Sequence, residues 1–228
     1  IDSEKWKKIV EAFVGQNRTV EQVESSTNPS FSTGTGTYTG PTITSPTAPT
    51  GYITEVKEYD DLYYYLKQYV QEHNLNDDVF LHKSDGYTFI TFNNNIFFDG
   101  DSAELRPQSK VILDVLANAI KNISDQIGEI RAYGHTARAG GKDQPNKVDG
   151  DRTLSVMRAN NVIVYLQKKN VIDPKKMVAE GYGEFRPIVP HDGTEATRIK
   201  NRRVEIYISK SDHATVTLDK IYEDIRKA

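Results

Sequence analysis

His135 and Ser155 are the side chains of this sequence that most readily suggest catalysis. A catalytic histidine needs a nucleophile within hydrogen-bond reach and an acid that orients its ring. Ser155 is predicted on the buried side of a helix, and the sequence has no Gly-x-Ser-x-Gly turn that would expose a nucleophilic serine. The residues therefore favour a hydrogen-bonded, structural His135, and we expect the protein not to be an enzyme.

Metal, nucleotide and nucleic-acid binding find little support in the residue spacing. The five histidines are scattered with no pair at i and i+4, and the chain has no cysteine. Gly181 and Gly183 lack the third glycine of a dinucleotide-binding turn. The formal net charge is −3, and Arg202 and Arg203 alone do not form a basic stripe. We expect no metal, no cofactor and no nucleic-acid partner.

Arg158 is the side chain that could bind an acid group. The planar guanidinium of arginine makes two parallel, charge-assisted hydrogen bonds to a carboxylate. Arg158 lies beside Ala159, one step off the apolar face of a predicted helix. The pattern alone leaves two roles open, a surface arginine or an arginine that lines a site.

Apolar periodicity predicts the elements that position these side chains. Ala159, Val162 and Leu166 line the inner face of a helix together with Ser155, and Asp151 is the predicted N-cap. The predicted order is a helix over 56–73, a strand over 87–92, a helix from 107, a strand over 127–133, a polar loop over 134–150, a helix from 151, strands over 177–182 and 203–208, and a short helix over 216–225.

This order predicts an α+β fold. Strand–helix–strand units place strands in parallel through right-handed crossovers, so we expect a βαβαβ-β mixed sheet with helices on one face. Val204, Ile206 and Ile208 alternate with more polar neighbours, which predicts a half-buried last strand. A helix is added at each end of this core.

Composition divides the 228 residues into four parts. Residues 1–24 carry Trp6, Ile9, Val10 and Phe13 at helical spacing and form an amphipathic segment. Residues 25–54 contain no charged side chain and are rich in Ser, Thr, Gly and Pro, which predicts a flexible linker. Residues 55–210 form the folded domain and 211–228 a C-terminal helical extension.

No membrane-spanning run or signal peptide is visible. The longest apolar run is far shorter than the about 18 to 20 residues that a membrane helix needs. Because the sequence opens on Ile1, we expect a fragment or a processed form whose targeting segment has been removed.

Five strings, in order and spacing, closely resemble the OmpA-like peptidoglycan-binding domain family. The resemblance covers about residues 95–209. The strings are residues 98–105 (Phe-Asp-Gly-Asp-Ser-Ala-Glu-Leu), 134–136 (Gly-His-Thr), 154–159 (Leu-Ser-Val-Met-Arg-Ala), 181–184 (Gly-Tyr-Gly-Glu) with Pro187, and 201–206 (Asn-Arg-Arg-Val-Glu-Ile).

Within that family the chain is similar to MotB, the group of wall-anchored flagellar stator subunits. The similarity lies in residues 63–99, in the long loop between His135 and Leu154, and in residues 1–7, which resemble the stretch after the single membrane helix of that group. It implies a plug-like helix near residues 6–13, a homodimer and a MotA-like channel partner reached through a membrane helix outside this sequence. It also implies an extracytoplasmic location, tethered to the cytoplasmic membrane.

The resemblance implies non-catalytic binding of peptidoglycan, with Arg158 gripping a stem-peptide carboxylate. Thr136 and nearby amides would donate hydrogen bonds to ligand oxygens. Most members of the family have an aspartate that pairs with the ligand ammonium at the position where this chain has Ala137. Three alternatives are open: the affinity for peptidoglycan is lower, another carboxylate pairs with the ammonium, or the ligand is a variant wall. The nearest carboxylates in sequence are Asp143, Asp149 and Asp151.

The remaining predicted site residues are less strongly indicated. Asp99 falls at the floor of the family's site, although it also suits a structural turn, and Leu154 belongs to the helix string that carries the arginine. Of the adjacent arginines, Arg202 is predicted to line the site and Arg203 to brace the carboxylate of Glu205 or Glu180.

Two other functions stay open at this point. One is an OmpA-like wall anchor of another envelope complex, which the residues before Ile1 would distinguish from a stator subunit. The other is a cell-wall hydrolase, which would release muropeptides from isolated walls.

Overall fold

The computed structural model describes residues 53–138 and 148–227. The predicted amphipathic segment over 1–24, most of the predicted linker and Asp143 lie outside these residues. The helices and strands are α1 (Tyr59–Glu72), β1 (Val79–Ser84), β2 (Tyr87–Asn93), α2 (Asn94–Phe97), α3 (Pro107–Lys121), β3 (Ile127–His135), α4 (Val148–Lys168), β4 (Met177–Gly183), α5 (Glu195–Asn201), β5 (Arg203–Lys210) and α6 (Leu218–Lys227).

The five strands form one mixed sheet in the order β1-β2-β5-β3-β4. Strands β3 and β4 are parallel and are joined by α4, whereas the other three neighbouring pairs are antiparallel. The predicted strand–helix–strand unit and the mixed α+β sheet are therefore confirmed.

Helices α1, α3 and α4 bury their apolar sides in one core against the sheet. Pro107 starts α3 at a position where its missing N–H costs nothing. The inner face predicted for α4 is confirmed, since Ser155, Ala159, Val162 and Leu166 are all fully buried. The start predicted for that helix is wrong, because α4 begins at Val148 and the predicted N-cap, Asp151, lies in its first turn.

The C-terminal helix α6 covers the opposite face of the sheet. Its Leu218 and Ile221 pack in a second core with Tyr87, Tyr133 and Tyr207. The prediction of a half-buried last strand is wrong, because residues 203–209 of β5 are all buried. Strand β5 is central in the sheet, and α6 shields the face that local alternation assigned to solvent.

Three elements were not predicted from the sequence, the short helix α2, strand β1 and the short helix α5. Strand β1 forms one edge of the sheet and pairs with β2 through a tight turn at Asp85 and Gly86. The short helix α5 is capped by Thr194, whose hydroxyl accepts a hydrogen bond from the amide of Thr197.

Candidate functional site

The candidate site lies where α4 crosses the carboxyl ends of β3 and β4. Gly134 and Gly181 permit this crossing, because a Cβ atom at Gly134 would stand 1.9 Å from the carbonyl oxygen of Ser155, and one at Gly181 2.4 Å from the Val156 side chain. The Ser155 hydroxyl accepts a hydrogen bond of 3.0 Å from the amide of Gly183. Helix α4 is thus held tightly against the strand ends, with Arg158 one turn further along.

Arg158 is buried beneath the loop over residues 99–105, with a relative exposure of 1 %. Its Nε donates to the carbonyl oxygen of Ser102 over 2.9 Å, and its Nη2 donates to the carbonyl oxygen of Gly100. The guanidinium carbon lies 5.1 Å from the centre of the Phe98 ring. The alternative of a solvated surface arginine is therefore wrong, and in this form two of the five guanidinium N–H donors hold the loop.

Nearby charges act on the Arg158 guanidinium. Burial lowers the pKa of Arg158 to about 10; the carboxylate of Asp101 opposes this shift, the guanidinium of Arg202 adds to it, and Asp151 opposes it. Arg158 therefore stays charged at neutral pH. Asp101, Arg202 and Asp151 all lie close enough to act on its charge.

Thr136 and Ala137 follow β3 and are both buried. The amide of Thr136 donates to the carbonyl oxygen of Gly183 over 3.0 Å, so this amide is already engaged within the fold. The Thr136 hydroxyl has no hydrogen-bond partner in the described part of the chain. Gly183 and Ser155 link the Thr136 backbone to α4, so the Thr136 hydroxyl lies in the same packed corner.

The other predicted site residues lie around this corner with partners of their own. Asp99 is exposed and forms an ion pair with Arg106 at 3.1 Å. Arg202 is half-buried and pairs with Glu195. Leu154 is half-buried on α4, one turn before Arg158.

The structure also places the carboxylates that could replace the aspartate missing at position 137. Asp149 is exposed in the first turn of α4, whereas Asp151 is half-buried and acts on Arg158. Asp101 also acts on Arg158 and was missed as a candidate, although it lies in the string over residues 98–105. Only the folding of this loop over α4 brings Asp101 to the arginine.

A buried polar network lies under α6. The Glu205 carboxylate accepts hydrogen bonds from Arg203 Nε over 2.7 Å and from the Tyr222 hydroxyl over 2.7 Å, and it lies 2.9 Å from His135 Nε2. The predicted structural roles of His135 and Arg203 are confirmed. Burial alone would raise the pKa of Glu205, but Arg203 and His135 hold it at about 2. Burial lowers the pKa of His135.

The described residues do not assemble the arrangement that a nucleophilic enzyme requires. The Ser155 hydroxyl donates to the carbonyl oxygen of Arg152 over 2.8 Å, and His135 contacts Glu205 instead of a nucleophile. Within residues 53–138 and 148–227, no group of three or more metal-ligating side chains could hold a metal ion. No helix in those ranges is both long enough and apolar enough to cross a membrane.

The chain is similar in sequence to known proteins. Residues 97–202 match the OmpA family. The chain is 36 % identical to outer membrane protein A of Bordetella avium over 119 residues, which are 52 % of this chain and 56 % of that protein, so the chain spans little more than half of that relative. It is 26 % identical to Motility protein B of Bacillus subtilis over 208 residues, covering 82 % of this chain and 78 % of that protein.

The fold is shared with a MotB like protein from Desulfovibrio vulgaris of known structure. The two superpose with a TM-score of 0.56 at 20 % identity, over 66 % of this chain and 93 % of the other.

Proposed function

We propose that this chain, which carries an OmpA-like domain similar to that of Motility protein B, is the extracytoplasmic part of a flagellar stator subunit that binds peptidoglycan without catalysis. The observation that carries the proposal is the extent of the similarity. The match to Motility protein B covers 82 % of this chain, whereas the OmpA family match is confined to residues 97–202. A wall anchor built only on the common domain would not require similarity in the flanking residues.

The proposed contact with the wall is the capture of a stem-peptide carboxylate by Arg158. The guanidinium is charged, and its bonds to Ser102 and Gly100 fix its orientation beneath the loop. A carboxylate would exchange with one of these neutral carbonyl acceptors, with a small displacement of the loop. The exchange would be favourable because a bond with one charged partner is replaced by a bond in which donor and acceptor are both charged, which adds Coulomb attraction in a buried site.

The Thr136 hydroxyl is the second proposed ligand contact. A buried hydroxyl without a partner costs free energy, which a hydrogen bond to a ligand oxygen would recover. We further propose that Asp101 or Asp151 accepts the ligand ammonium in place of the missing carboxylate at Ala137, because both lie in the electrostatic surroundings of Arg158. Leu154, Asp99 and Arg202 would border the ligand.

The proposed arrangement of the whole chain follows from this anchor. Residues 55–210 would hold the wall, 211–228 would close the second face of the sheet, and 25–54 would serve as a tether. A flexible linker of 30 residues has a root-mean-square span of about 30 Å. Residues 1–24 would act as a plug-like segment of a homodimer beside a MotA-like channel subunit, so that anchoring keeps the stator from turning with the rotor.

Co-sedimentation with purified peptidoglycan sacculi tests the proposal. The wild-type chain should sediment with sacculi at physiological salt, and Arg158→Ala should lose at least tenfold in affinity. Arg158→Lys should lose nearly as much, because an ammonium lacks the planar fork. Arg198→Ala removes a charge from α5 and is the matched control, with binding expected to stay at the wild-type level. Unchanged binding of both Arg158 variants would contradict the proposed contact.

The same incubation tests the hydrolase, and the residues before Ile1 test the anchor of another envelope complex. Release of soluble muropeptides would identify a hydrolase, and we expect none. A β-barrel or a lipid anchor before residue 1 would indicate another envelope complex, whereas a single membrane helix with a buried aspartate would support the stator subunit.

A further inference from the structure

A cleft lies between α6, the start of α4 and the segment that follows β4. We call it the arginine cleft. Its volume is about 520 Å³, within the range of small-ligand sites. It is lined by Arg152, Tyr182, Phe185, Arg186, Pro187, Asp219, Tyr222 and Arg226.

The charge of the arginine cleft is opposite to that of the protein. Three guanidinium groups face one carboxylate, although the formal net charge of the chain is −3. Asp219 forms an ion pair with Arg186. Arg152 and Arg226 have no acidic partner among the described residues, so the cleft keeps an excess of two positive charges.

Two of the guanidinium groups are held in place by aromatic rings. The Arg152 guanidinium lies 4.9 Å from the centre of the Phe185 ring and donates to the carbonyl oxygen of Gly181 over 3.1 Å. The Arg186 guanidinium lies 4.6 Å from the centre of the Tyr182 ring. Fixed guanidinium groups lose little conformational entropy when they bind an anion.

An exposed aromatic side chain borders these charges. Phe185 is 53 % exposed although it is large and apolar. With the Arg152 guanidinium against it, Phe185 still has apolar surface open to a ligand.

We propose that the arginine cleft binds an anionic ligand through phosphate or carboxylate oxygens, with an adjoining planar or apolar group resting on Phe185. Arg152 and Arg226 would donate the principal hydrogen bonds, and Arg186 would reinforce the field while bound to Asp219. This site is separate from Arg158, and the proposal does not depend on peptidoglycan binding.

Titration of the full chain with pyrophosphate and with citrate tests this site, followed through the arginine Nε–H signals in ¹H–¹⁵N spectra at constant ionic strength. We expect saturable shifts of the Arg152, Arg186 and Arg226 signals. Arg226→Gln and Arg152→Gln should each weaken binding about tenfold, equivalent to about 1.4 kcal/mol. Lys227→Gln removes a charge from the next residue, which does not line the cleft, and should leave the affinity unchanged.

The two probes distinguish the sources of the anionic group. Saturation by pyrophosphate alone would identify phosphate as the ligand group, and saturation by citrate alone would identify carboxylate. Non-saturating shifts with both probes, or equal weakening by Lys227→Gln and Arg226→Gln in variants with native spectra, would overturn the proposal.

Discussion

Glu205→Ala should destabilise the fold more than any surface substitution, because Glu205 is the only carboxylate of the buried network described here. In the described structure, the Arg203 guanidinium is fully buried and its Nε bonds to this carboxylate over 2.7 Å. The Tyr222 hydroxyl and His135 Nε2 contact the other carboxylate oxygen. Alanine at this position would leave a buried positive charge and two polar groups without their acceptor.

Two free energies agree on how much stability Glu205→Ala would lose. Removing one partner of a buried ion pair typically costs about 3–5 kcal/mol. The depression of the Glu205 pKa from 4.5 to about 2 corresponds to about 3 kcal/mol of native-state preference for the carboxylate. For a chain of this length, a loss of about 3–5 kcal/mol lowers the melting temperature by roughly 6–20 °C.

Urea unfolding followed by circular dichroism at pH 7 measures this loss. Glu205→Gln keeps hydrogen-bonding capacity without the charge and should lie between the wild type and Glu205→Ala. The control is Glu223→Ala, which removes an exposed partner of Lys220 at 3.9 Å and should leave the midpoint unchanged. A change below about 1 kcal/mol for Glu205→Ala would refute the view that this network stabilises the sheet.

Three further measurements probe the packing and the buried charges. Gly134→Ala should cost about 1–3 kcal/mol or more in urea unfolding, because its Cβ would overlap the α4 backbone. Gly150→Ala, where a Cβ meets nothing within 4 Å in the same helix, should instead stabilise by up to about 1 kcal/mol. Stability should fall as the pH drops below about 6.5, because burial lowers the pKa of His135, His73 and His82 and unfolding therefore takes up protons; His135→Gln should make this step smaller. A second loss should begin near pH 4.5 and continue towards pH 2 as Glu205 is protonated, and its absence in a pH series of unfolding midpoints would contradict the low Glu205 pKa.

The sequence predicts most of the fold because the strongest signals are local. The inner face of α4 could be read from the spacing of Ser155, Ala159, Val162 and Leu166, and the β3-α4-β4 unit follows from the order of its elements. Strand β1 was missed because it is an edge strand with Phe80 exposed, so it lacks a clean alternation of buried and exposed residues. Local signals therefore identify central elements better than edges.

Burial by distant elements could not be predicted from local patterns. Arg203 and Glu205 alternate with aliphatic residues and suggested a solvent face, yet α6 covers them from the far end of the chain. Arg158 is likewise buried by the loop over residues 99–105, more than 50 positions earlier. The resemblance singled out Arg158, whereas its carbonyl partners and the proximity of Asp101 depend on tertiary packing.

The most direct test of carboxylate capture is a calorimetric comparison of two stem peptides that differ only at the diaminopimelate carboxyl group. One carries the free carboxylate and the other its primary amide. We predict that amidation weakens binding to the full chain at least tenfold, because the charge-assisted bonds to Arg158 are lost. Equal affinity for the two peptides would contradict a wall contact based on this arginine.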